Sequence, residues 1–367
     1  MRSDEARFSA TDRQHMARAL ALAAQGLCTT QPNPRVGCVL VRDGEVVGEG
    51  WHQRRGGPHA EVHALAEAGE RARGATAYVT LEPCSHHGLT PPCCEALIAA
   101  GVSRVVAAQG DPFPAVDGRG FDRLRAAGIA VDVGLMADAA AALNEGFLLR
   151  VRRGRPLIRL KLAMSLDGRT ALADGRSQWI TGPEARADVQ QWRARACVIL
   201  TGIGTVLADD PRLAPRIDSP CTPPDKWVLD SHGRLPASAA LLGTPGRSVQ
   251  LCVSDGAALS GVERRVLPTQ AGRIDLQAVM AALAARPANE IHVEAGATLA
   301  GALLDAGLVD ELLIYVAPLL LGPDARPLAA IAPLGGLDSA ARWRLVESVP
   351  IGADLRLRLR PLVNPDG

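Results

Sequence analysis

The segments Pro58-His-Ala-Glu61 and Pro83-Cys-Ser-His-His-Gly-Leu-Thr-Pro-Pro-Cys93 place one imidazole, two thiols and one carboxylate close together in the sequence. His59, Cys84 and Cys93 are ligands of the kinds that Zn²⁺ prefers, and three protein ligands leave the fourth tetrahedral position open. Glu61 remains as a carboxylate that does not bind the metal. The two segments therefore predict a catalytic zinc site.

The prolines indicate how the backbone would build this site. Successive helical residues turn by about 100°, so His59 and Glu61 can face one ion only if His59 lies at the very start of a helix. Pro58 favours a helix start at that point, and Cys93 opens a second predicted helix after two prolines. The positive ends of two helix dipoles would then face the metal and favour thiolates.

The same residues indicate a reaction. A histidine followed two residues later by glutamate, with Pro-Cys downstream, is the signature of zinc deaminases, in which the glutamate is the general acid and base. Zinc lowers the pKa of a bound water towards about 7. Glu61 can accept a proton from that water and pass it to the leaving amine, so we expect hydrolytic deamination of an amidine-like ring carbon.

Other interpretations of these residues are open from the sequence alone. A zinc-protease helix needs glutamate directly after the first histidine, where Ala60 stands. A purely structural zinc needs a fourth ligand, which Cys94 could supply. Asn33 and His52 are either hydrogen-bonding loop residues or part of the substrate pocket, and His86 is interpreted as a substrate contact rather than a ligand.

Composition sets the broad class. A length of 367 residues favours two domains, and 47% hydrophobic residues with 22% charged ones are typical of a globular chain with packed cores. The formal net charge of +1 predicts no basic surface for a nucleic acid, so we expect a small-molecule substrate. A polar N-terminus and the absence of a long apolar run favour a cytoplasmic protein without a membrane partner. Scattered cysteines fit reduced thiols.

Strand and helix patterns alternate along the chain, which predicts an α/β protein. Residues 11–25 are a predicted helix with Ser9 or Thr11 as its N-cap, and Asp43-Gly44 predicts a type I′ hairpin turn. We expect further helices at 59–68, 93–100 and 137–149, and strands at 75–81 and 104–108. The second half has predicted strands at 157–164, 196–201, 227–230, 250–253, 290–294 and 311–317.

A basic stretch with Gly154 and Pro156, residues 150–156, is the predicted linker between two domains. We therefore expect a deaminase domain over residues 1–149 and a second α/β domain over residues 157–367.

The second half has the marks of a dinucleotide site. Thr201-Gly-Ile-Gly-Thr205 and Glu294-Ala-Gly-Ala-Thr-Leu-Ala-Gly301 each follow a predicted strand, and backbone N–H groups at a helix start suit a pyrophosphate. Asp230 ends a strand and could bind a ribose hydroxyl, whereas Ser231 and Arg234 could receive a 2′-phosphate. We favour the phosphate, and therefore NADPH.

Lys161 is one of two lysines in the chain and lies in an apolar run. A buried ammonium needs a partner or a purpose. We interpret Lys161 as a pocket residue, with a lysine that reaches solvent from the strand end as the alternative.

Further segments of the same kind are spread over nearly the whole chain. They are Asn33-Pro-Arg-Val-Gly37, Gly118-Arg-Gly120, Lys161-Leu-Ala-Met-Ser-Leu-Asp-Gly-Arg169, Ser177-Gln-Trp-Ile-Thr181, Gly204-Thr-Val-Leu-Ala-Asp-Asp-Pro211, Leu308-Val-Asp-Glu311 and Ala317-Pro318. Together with the two zinc segments they closely resemble the bifunctional riboflavin biosynthesis deaminase-reductase family. The resemblance implies an N-terminal cytidine-deaminase-like αβα domain followed by a dihydrofolate-reductase-like α/β domain.

The resemblance also implies two reactions, and we expect the protein to be a homo-oligomer. The first is zinc-dependent deamination of 2,5-diamino-6-ribosylamino-4(3H)-pyrimidinone 5′-phosphate, and the second is reduction of its ribosyl group to ribityl by NADPH. Lys161 and Asp209 would assist opening of the sugar ring. The implied substrate contacts of the reductase are Ser177, Arg193, Leu213, Arg216 and Glu294, with Arg193 or Arg216 on the 5′-phosphate. The implied cofactor contacts are Ala163, Trp179, Thr205, Asp209, Ser231, Gly296, Ala297, Thr298, Leu299, Ala300, Gly301 and Ala302.

Three positions depart from the family pattern. Leu89 stands where the family usually has Lys or Arg, Phe113 where it has Asn, and Ala295 where it has Gly. The first departure removes a cation near the phosphate of the deaminase substrate.

Two alternative functions are a nucleic-acid deaminase, which leaves residues 157–367 unexplained, and a monofunctional deaminase with a degenerate second domain.

Overall fold

The computed structural model describes residues 7–88 and 91–362, and the chain divides into two compact units between Gly154 and Arg155. Both units have the predicted α/β character. No helix in the described residues is long and apolar enough to cross a bilayer.

The first unit is built, among the described residues, on a five-stranded sheet in the order β2-β1-β3-β4-β5. The strands are β1 (Gly37–Arg42), β2 (Glu45–Trp51), β3 (Thr76–Val79), β4 (Arg104–Ala107) and β5 (Ala130–Val133). β1 is antiparallel to β2 and β3, whereas β3, β4 and β5 run parallel. The helices are α1 (Ala10–Gln25), α2 (Ala60–Ala68), α3 (Cys93–Ala100), α4 (Arg119–Ala126), α5 (Ala137–Leu143) and α6 (Glu145–Arg153), with a 3₁₀ turn at Gly69–Ala72.

Helices cover both faces of this first sheet. Side chains of α2, α3 and α4 pack on one face with Leu40. Side chains of α1 and α5 pack on the other face with Val39. Neighbouring strand residues point to opposite faces, so both sides of the sheet are buried. This is the αβα layering expected from the resemblance.

Residues at the ends of helices and strands have the caps and backbone conformations that the sequence predicts. Ser9 caps α1, with Asp12 completing a capping box. Asp43 and Gly44 have φ of 51° and 81°, the positive values that a type I′ turn requires. Gly101 ends α3 in the left-handed conformation with φ of 71°.

The second unit, as described, is built on a nine-stranded sheet in the order β11-β10-β9-β8-β14-β6-β15-β18-β17. Its strands are β6 (Leu157–Ser165), β8 (Val198–Gly202), β9 (Asp225–Leu229), β10 (Ser248–Cys252), β11 (Val262–Val266), β14 (Glu290–Glu294), β15 (Glu311–Ala317), β17 (Trp343–Ile351) and β18 (Asp354–Pro361). Short pairs form from β7 (Arg169–Ala171) with β16 (Arg326–Pro327) and from β12 (Thr269–Gln270) with β13 (Arg273–Ile274). The helices are α7 (Pro183–Ala194), α8 (Ile203–Asp209), α9 (Leu276–Ala284) and α10 (Ala297–Asp305), with 3₁₀ turns at Ala240–Gly243 and Leu337–Ser339.

The sheet of the second unit is parallel from β11 to β15 and ends in the antiparallel hairpin β17-β18. Helices α9 and α10 pack on one face, where Leu283 and Leu303 meet Val293. Helices α7 and α8 pack on the other face through Val189 and Val206. The carboxyl ends of the parallel strands therefore open towards the loops that precede α8 and α10.

Three details differ from the sequence prediction. Residues 150–153 of the predicted linker are the last turn of α6. The predicted helix 137–149 is interrupted at Asn144. The buried side-chain amide of Asn144 accepts a hydrogen bond from the backbone N–H of Arg35 and donates one to the backbone carbonyl of Arg35. α4, β5 and the hairpin β17-β18 are elements that the sequence patterns did not identify.

Candidate active sites

The three predicted zinc ligands come together at two helix starts and one strand end. His59 is the N-cap residue of α2, Cys93 is the first residue of α3, and Cys84 follows the chain segment that leaves β3. Their ligand atoms all lie within 4.8 Å of one another. The Nδ1 of His59 is 3.2 Å from the Sγ of Cys93 and 3.5 Å from the Sγ of Cys84. One imidazole and two thiols at this spacing fit a tetrahedral zinc ion with an open position.

Electrostatics at the ligands favour a thiolate. The pKa of Cys84 is lowered by a hydrogen bond from the Cys93 thiol, and further contacts with His59 and the Cys93 backbone act in the same direction. The backbone N–H of Cys93 donates to the Sγ of Cys84 at 3.3 Å. A metal ligand must be deprotonated, so these contacts prepare the site for a cation.

Glu61 is buried beside the ligand cluster, with 3% of its surface exposed. Burial and the neighbouring Cys84 thiolate raise the pKa of the Glu61 carboxyl to about 7. A cation held by the three ligands favours the ionised form and lowers this pKa. A carboxyl group that can exchange a proton near neutral pH is suited to general acid and base catalysis.

The alternative metal arrangements fail on geometry. Cys94 packs in the apolar core under α3, and among the described residues the metal-binding group consists of His59, Cys84 and Cys93. Cys94 is therefore not a fourth ligand. His63, the second histidine of a zinc-protease helix, lies outside the group as well.

His52 and Asn33 form a supporting layer behind His59. The His52 ring lies 5.2 Å from the His59 ring, edge to face. Its Nδ1 is 3.1 Å from the carbonyl of Pro58, which can only accept a hydrogen bond, so Nδ1 carries the proton. The Nε2 then accepts from the Asn33 amide at 3.0 Å. This chain of contacts fixes the loop that ends at His59.

Glu82 is a site residue that the sequence analysis missed. Its buried carboxylate accepts hydrogen bonds from the backbone N–H groups of Asp111, Gly118, Gly120 and Phe121, at 3.2, 3.0, 2.9 and 3.4 Å. Glu82 lies two residues before Cys84, so it ties the loop 111–121 to a zinc ligand. The Gly118-Arg-Gly120 motif allows this close approach, since a Cβ at Gly120 would lie 2.0 Å from the carbonyl oxygen of Pro83, but the motif does not indicate Glu82 as its partner.

His86 lies in a cavity of about 520 Å³ that also has Arg119 and Arg123 in its lining. The Phe113 ring is 5.9 Å from the His86 ring. Burial raises the pKa of the nearby Asp111 carboxyl to about 6. Leu89, another of the three departures from the family pattern, lies outside the described residues.

A cavity of about 1250 Å³ in the second unit brings together most of the predicted reductase residues. It opens at the carboxyl ends of the parallel strands, where α/β sheets bind ligands. The predicted residues in its lining are Lys161, Ala163, Ser177, Trp179, Arg193, Thr205, Asp209, Leu213, Arg216, Ser231, Glu294, Gly296, Ala297, Thr298, Leu299 and Ala302.

Ala300 and Gly301, two further predicted cofactor contacts, are absent from the cavity lining. Ala300 is fully buried in the apolar core. Gly301 faces the backbone of Ala330, where a Cβ would lie 2.1 Å from the carbonyl oxygen. These two residues hold α10 in place and do not line the cavity.

Arginine side chains in this cavity have different roles. The Arg193 guanidinium makes a two-point ion pair with Glu294, at 2.5 and 2.8 Å. Arg216 lies nearby with Arg212, a residue that the sequence analysis did not single out. Burial and the Arg193 and Arg212 guanidiniums lower the pKa of Arg216. Since Glu294 occupies the fork of Arg193, Arg212 and Arg216 are better placed to bind an anion.

Lys161 lies at the floor of the same cavity, on the inner strand β6 between β14 and β15. It is paired in register with Glu294 of β14, and its ammonium is 5.9 Å from the centre of the Tyr315 ring. Burial lowers the pKa of Lys161, while the Glu294 carboxylate opposes this shift. A lysine in such surroundings gives up a proton more easily than one in water.

The cofactor side of the cavity is formed by two loops at strand ends. Gly296 is the N-cap of α10 and has open space where a Cβ would be, so a ligand can approach the backbone there. Ser231, His232 and Arg234 line the cavity after β9. Asp230 is fully buried, and its carboxylate accepts from the Leu235 N–H and the Gln250 amide. In this position the Asp230 carboxylate does not face the cavity, where it would have to lie to bind a ribose hydroxyl.

Family models match both units. The model for the cytidine and deoxycytidylate deaminase zinc-binding region covers residues 9–109, and the model for the RibD C-terminal domain covers residues 156–357. The riboflavin biosynthesis protein RibD of Escherichia coli is 52% identical over 362 residues, which span 95% of this chain and 99% of the relative. The chain belongs to the RibD family.

Solved RibD structures agree with the fold. A structure of Acinetobacter baumannii RibD has a TM-score of 0.90 at 45% identity, covering 96% of this chain and 99% of the other. A Thermotoga maritima structure, described as a diaminohydroxyphosphoribosylaminopyrimidine deaminase/5-amino-6-(5-phosphoribosylamino)uracil reductase, has a TM-score of 0.87 at 32% identity and covers 96% of this chain and 99% of the other. The RibD architecture of a zinc deaminase domain followed by a reductase domain is therefore confirmed. The chain is a bifunctional enzyme of riboflavin biosynthesis with a small-molecule substrate.

Proposed function

We propose that the deaminase domain acts on 2,5-diamino-6-ribosylamino-4(3H)-pyrimidinone 5′-phosphate, with Glu61 as its general acid and base. The observation that carries this proposal is the His59, Cys84 and Cys93 cluster with the buried Glu61 beside it. Zinc, when bound, supplies Lewis-acid chemistry and acidifies water. Glu61 accepts a proton from the attacking water and returns it to the amino group that leaves as ammonia. Asn33, His52 and His86 are proposed to line or support the pyrimidine site.

The reductase domain is proposed to reduce the ribosyl group of the deaminated product to ribityl with NADPH. NADPH, when bound, supplies a hydride, and the sugar needs one proton in addition. Lys161 lies at the cavity floor with a lowered pKa, so it can supply that proton. Asp209 faces the same cavity from the end of α8 and is proposed to orient the sugar with Ser177 and Leu213.

The charges in the cavity favour a phosphorylated substrate. Arg212 and Arg216 lie next to the Arg193–Glu294 pair, and guanidinium groups bind phosphate through two parallel hydrogen bonds. We propose that these two arginines bind the 5′-phosphate and that Glu294 holds Arg193 away from it.

The preference for NADPH over NADH is proposed from the loop after β9. A carboxylate at this strand end would bind the 2′-hydroxyl of NADH, but Asp230 is buried and already hydrogen bonded. Ser231, His232 and Arg234 face the cavity in its place. Hydroxyl, imidazole and guanidinium donors suit a 2′-phosphate.

A paired assay on one zinc-loaded preparation tests both proposals. Ammonia release from the diaminopyrimidine phosphate reports deamination, and absorbance at the nicotinamide band reports reduction. Lys161→Ala should abolish NADPH oxidation while ammonia release continues. Lys226→Met is the matched control, because the Lys226 ammonium donates to the carbonyls of Thr244 and Pro245 outside the cavity. Normal NADPH oxidation by Lys161→Ala would refute the role of Lys161.

A further inference from the structure

A buried hydrogen-bond network lies directly beneath the loop that is proposed to bind the 2′-phosphate. Asp230 and Gln250 have 0% and 1% of their surface exposed. The Gln250 amide nitrogen donates to Oδ2 of Asp230 at 2.8 Å, and its amide oxygen accepts from Arg264 at 3.2 Å. A carboxylate can only accept and a guanidinium can only donate, so these partners fix which way the amide points.

The same network shapes the loop. Oδ2 of Asp230 also accepts from the backbone N–H of Leu235 at 2.7 Å. The Arg264 guanidinium also donates a hydrogen bond to the backbone carbonyl of Ser254 at 3.1 Å. The same guanidinium lies 3.2 Å from the position that a Cβ would occupy at Gly233. Gly233 has φ of 67°, which favours glycine at this position. The turn 231–235 is thus held from below by Asp230 and Arg264.

The position of Asp230 is what makes this network consequential. A carboxylate at the carboxyl end of a parallel strand selects NADH by binding the ribose hydroxyl, and it would repel a 2′-phosphate. Within the described part of the chain the other oxygen of Asp230, Oδ1, has no hydrogen-bond partner. The backbone N–H of Leu235 and the side-chain amide of Gln250 both donate to Oδ2, and these two hydrogen bonds hold the carboxylate away from the cavity.

We propose that Gln250 is a positioning residue for cofactor selectivity, which holds the Asp230 carboxylate out of the cavity so that the loop 231–234 can accept a 2′-phosphate. Gln250 does not line the cavity, and it contacts the residues beneath the loop through Asp230 and Arg264. The inference rests on the proposed use of NADPH and adds the residue that sets the preference. Without the Gln250 donor, the carboxylate loses half of its partners and turns towards the ligand.

The test compares two nucleotides that differ only in the 2′-phosphate, adenosine 2′,5′-bisphosphate and adenosine 5′-monophosphate. Their dissociation constants are measured by calorimetry on the full zinc-loaded chain. We expect the bisphosphate to bind the unaltered protein more tightly. In Gln250→Glu and in Gln250→Met the preference should fall about tenfold, with little change in affinity for the monophosphate. Gln250→Met keeps the proposal testable if the like charges in Gln250→Glu prevent folding.

Asp230→Asn provides the decisive control. Combined with either Gln250 variant it should restore the preference, because the neutral amide does not repel the phosphate. A Gln250 variant that merely loosens the fold would weaken the binding of both nucleotides equally, and adding Asp230→Asn would not restore the preference. A folded Gln250→Met protein with an unchanged preference overturns this inference alone. Equal binding of the two nucleotides by the unaltered protein overturns the 2′-phosphate site, and this inference with it.

Discussion

At the scale of single residues, the zinc site depends on a local property of the chain. His59 and Cys93 stand at helix starts, and Cys84 follows a buried strand, so each ligand is positioned by the end of a regular element. Glu61 lies within the first turn of α2, where it faces the cluster without belonging to it. Metal binding and proton transfer are therefore assigned to different side chains, and two substitutions can separate them.

Cys93→Ser should remove the metal and the deaminase activity together. A serine hydroxyl is a poor replacement for a thiolate ligand, and the remaining two ligands do not satisfy a tetrahedral ion. The purified protein should contain about one zinc per chain by elemental analysis, and the variant should contain almost none. A Cys93→Ser protein that is loaded with zinc and deaminates normally would contradict the ligand assignment.

Glu61→Gln should retain zinc and lose deamination by roughly 10² to 10⁴, the usual contribution of a positioned general acid or base. Zinc stays because Glu61 is not one of the three ligands. The measurement is ammonia release per zinc-loaded chain. Loss of the metal in this variant would place Glu61 among the ligands instead.

At the scale of elements, the supports of the site come from contacts that sequence patterns do not display. The ligands could be predicted because one histidine and two cysteines, each directly after a proline, match a known zinc-deaminase pattern of residue types. Glu82 could not, because its four donors lie about thirty to forty residues away and are brought to it only by the packing of α4 on the sheet. The inward orientation of Asp230 was equally hidden, since its partner Gln250 belongs to a neighbouring strand.

Gly120→Ala should destabilise the deaminase domain and weaken zinc binding. A Cβ would lie 2.0 Å from the carbonyl oxygen of Pro83, so α4 must shift relative to the segment that carries Cys84. Overpacking of this kind costs about 1–3 kcal/mol. Gly110→Ala in the same loop is the control, because its Cβ would make ordinary contacts at 3.6 Å. Urea unfolding and competition with a zinc chelator measure the two effects, and equal behaviour of the two variants would contradict the argument.

Glu311→Gln should destabilise the reductase domain by less than the roughly 3–5 kcal/mol of an uncompensated buried charge. The substitution removes the ion pair that links β6 to β15, and buried Arg159 keeps Glu290 as a charged partner. Burial alone would raise the pKa of Glu311, but Arg159 and Arg358 lower it to about 2. A carboxyl group with a lowered pKa stabilises the fold above the unfolded value near 4.5, and this stabilisation is lost as the pH falls towards 2. Denaturant unfolding should therefore show a large difference from the unaltered protein at pH 7 and a smaller one at pH 3. A difference that is independent of pH would exclude the ionic explanation.

At the scale of the whole molecule, the two activities belong to two units with separate cores. Each hydrophobic cluster of the described residues draws its members from one unit. The clusters around Leu97, Met16 and Phe147 belong to the first unit, and those around Val293, Val228 and Trp192 belong to the second. The sequence predicted this division through the basic, glycine-containing stretch near residue 154. The division between Gly154 and Arg155 lies within the predicted linker 150–156, and α6 extends into that stretch as far as Arg153.

Residues 155–367 expressed alone should fold, bind NADPH and reduce the deaminated ribosylaminouracil phosphate without zinc. The fragment keeps every described strand of its sheet and the complete lining of the large cavity. It also keeps the ion pair between Arg155, its first residue, and Asp310, which directly precedes β15. Cooperative thermal unfolding, NADPH binding and NADPH oxidation are measured on the fragment and on the full chain, each with and without a zinc chelator. The chelator should abolish ammonia release by the full chain and leave NADPH oxidation unchanged in both proteins. A soluble, cooperatively folding fragment that binds NADPH but does not oxidise it would show that the reductase needs the first unit, and the separation of the two activities proposed here would then be wrong.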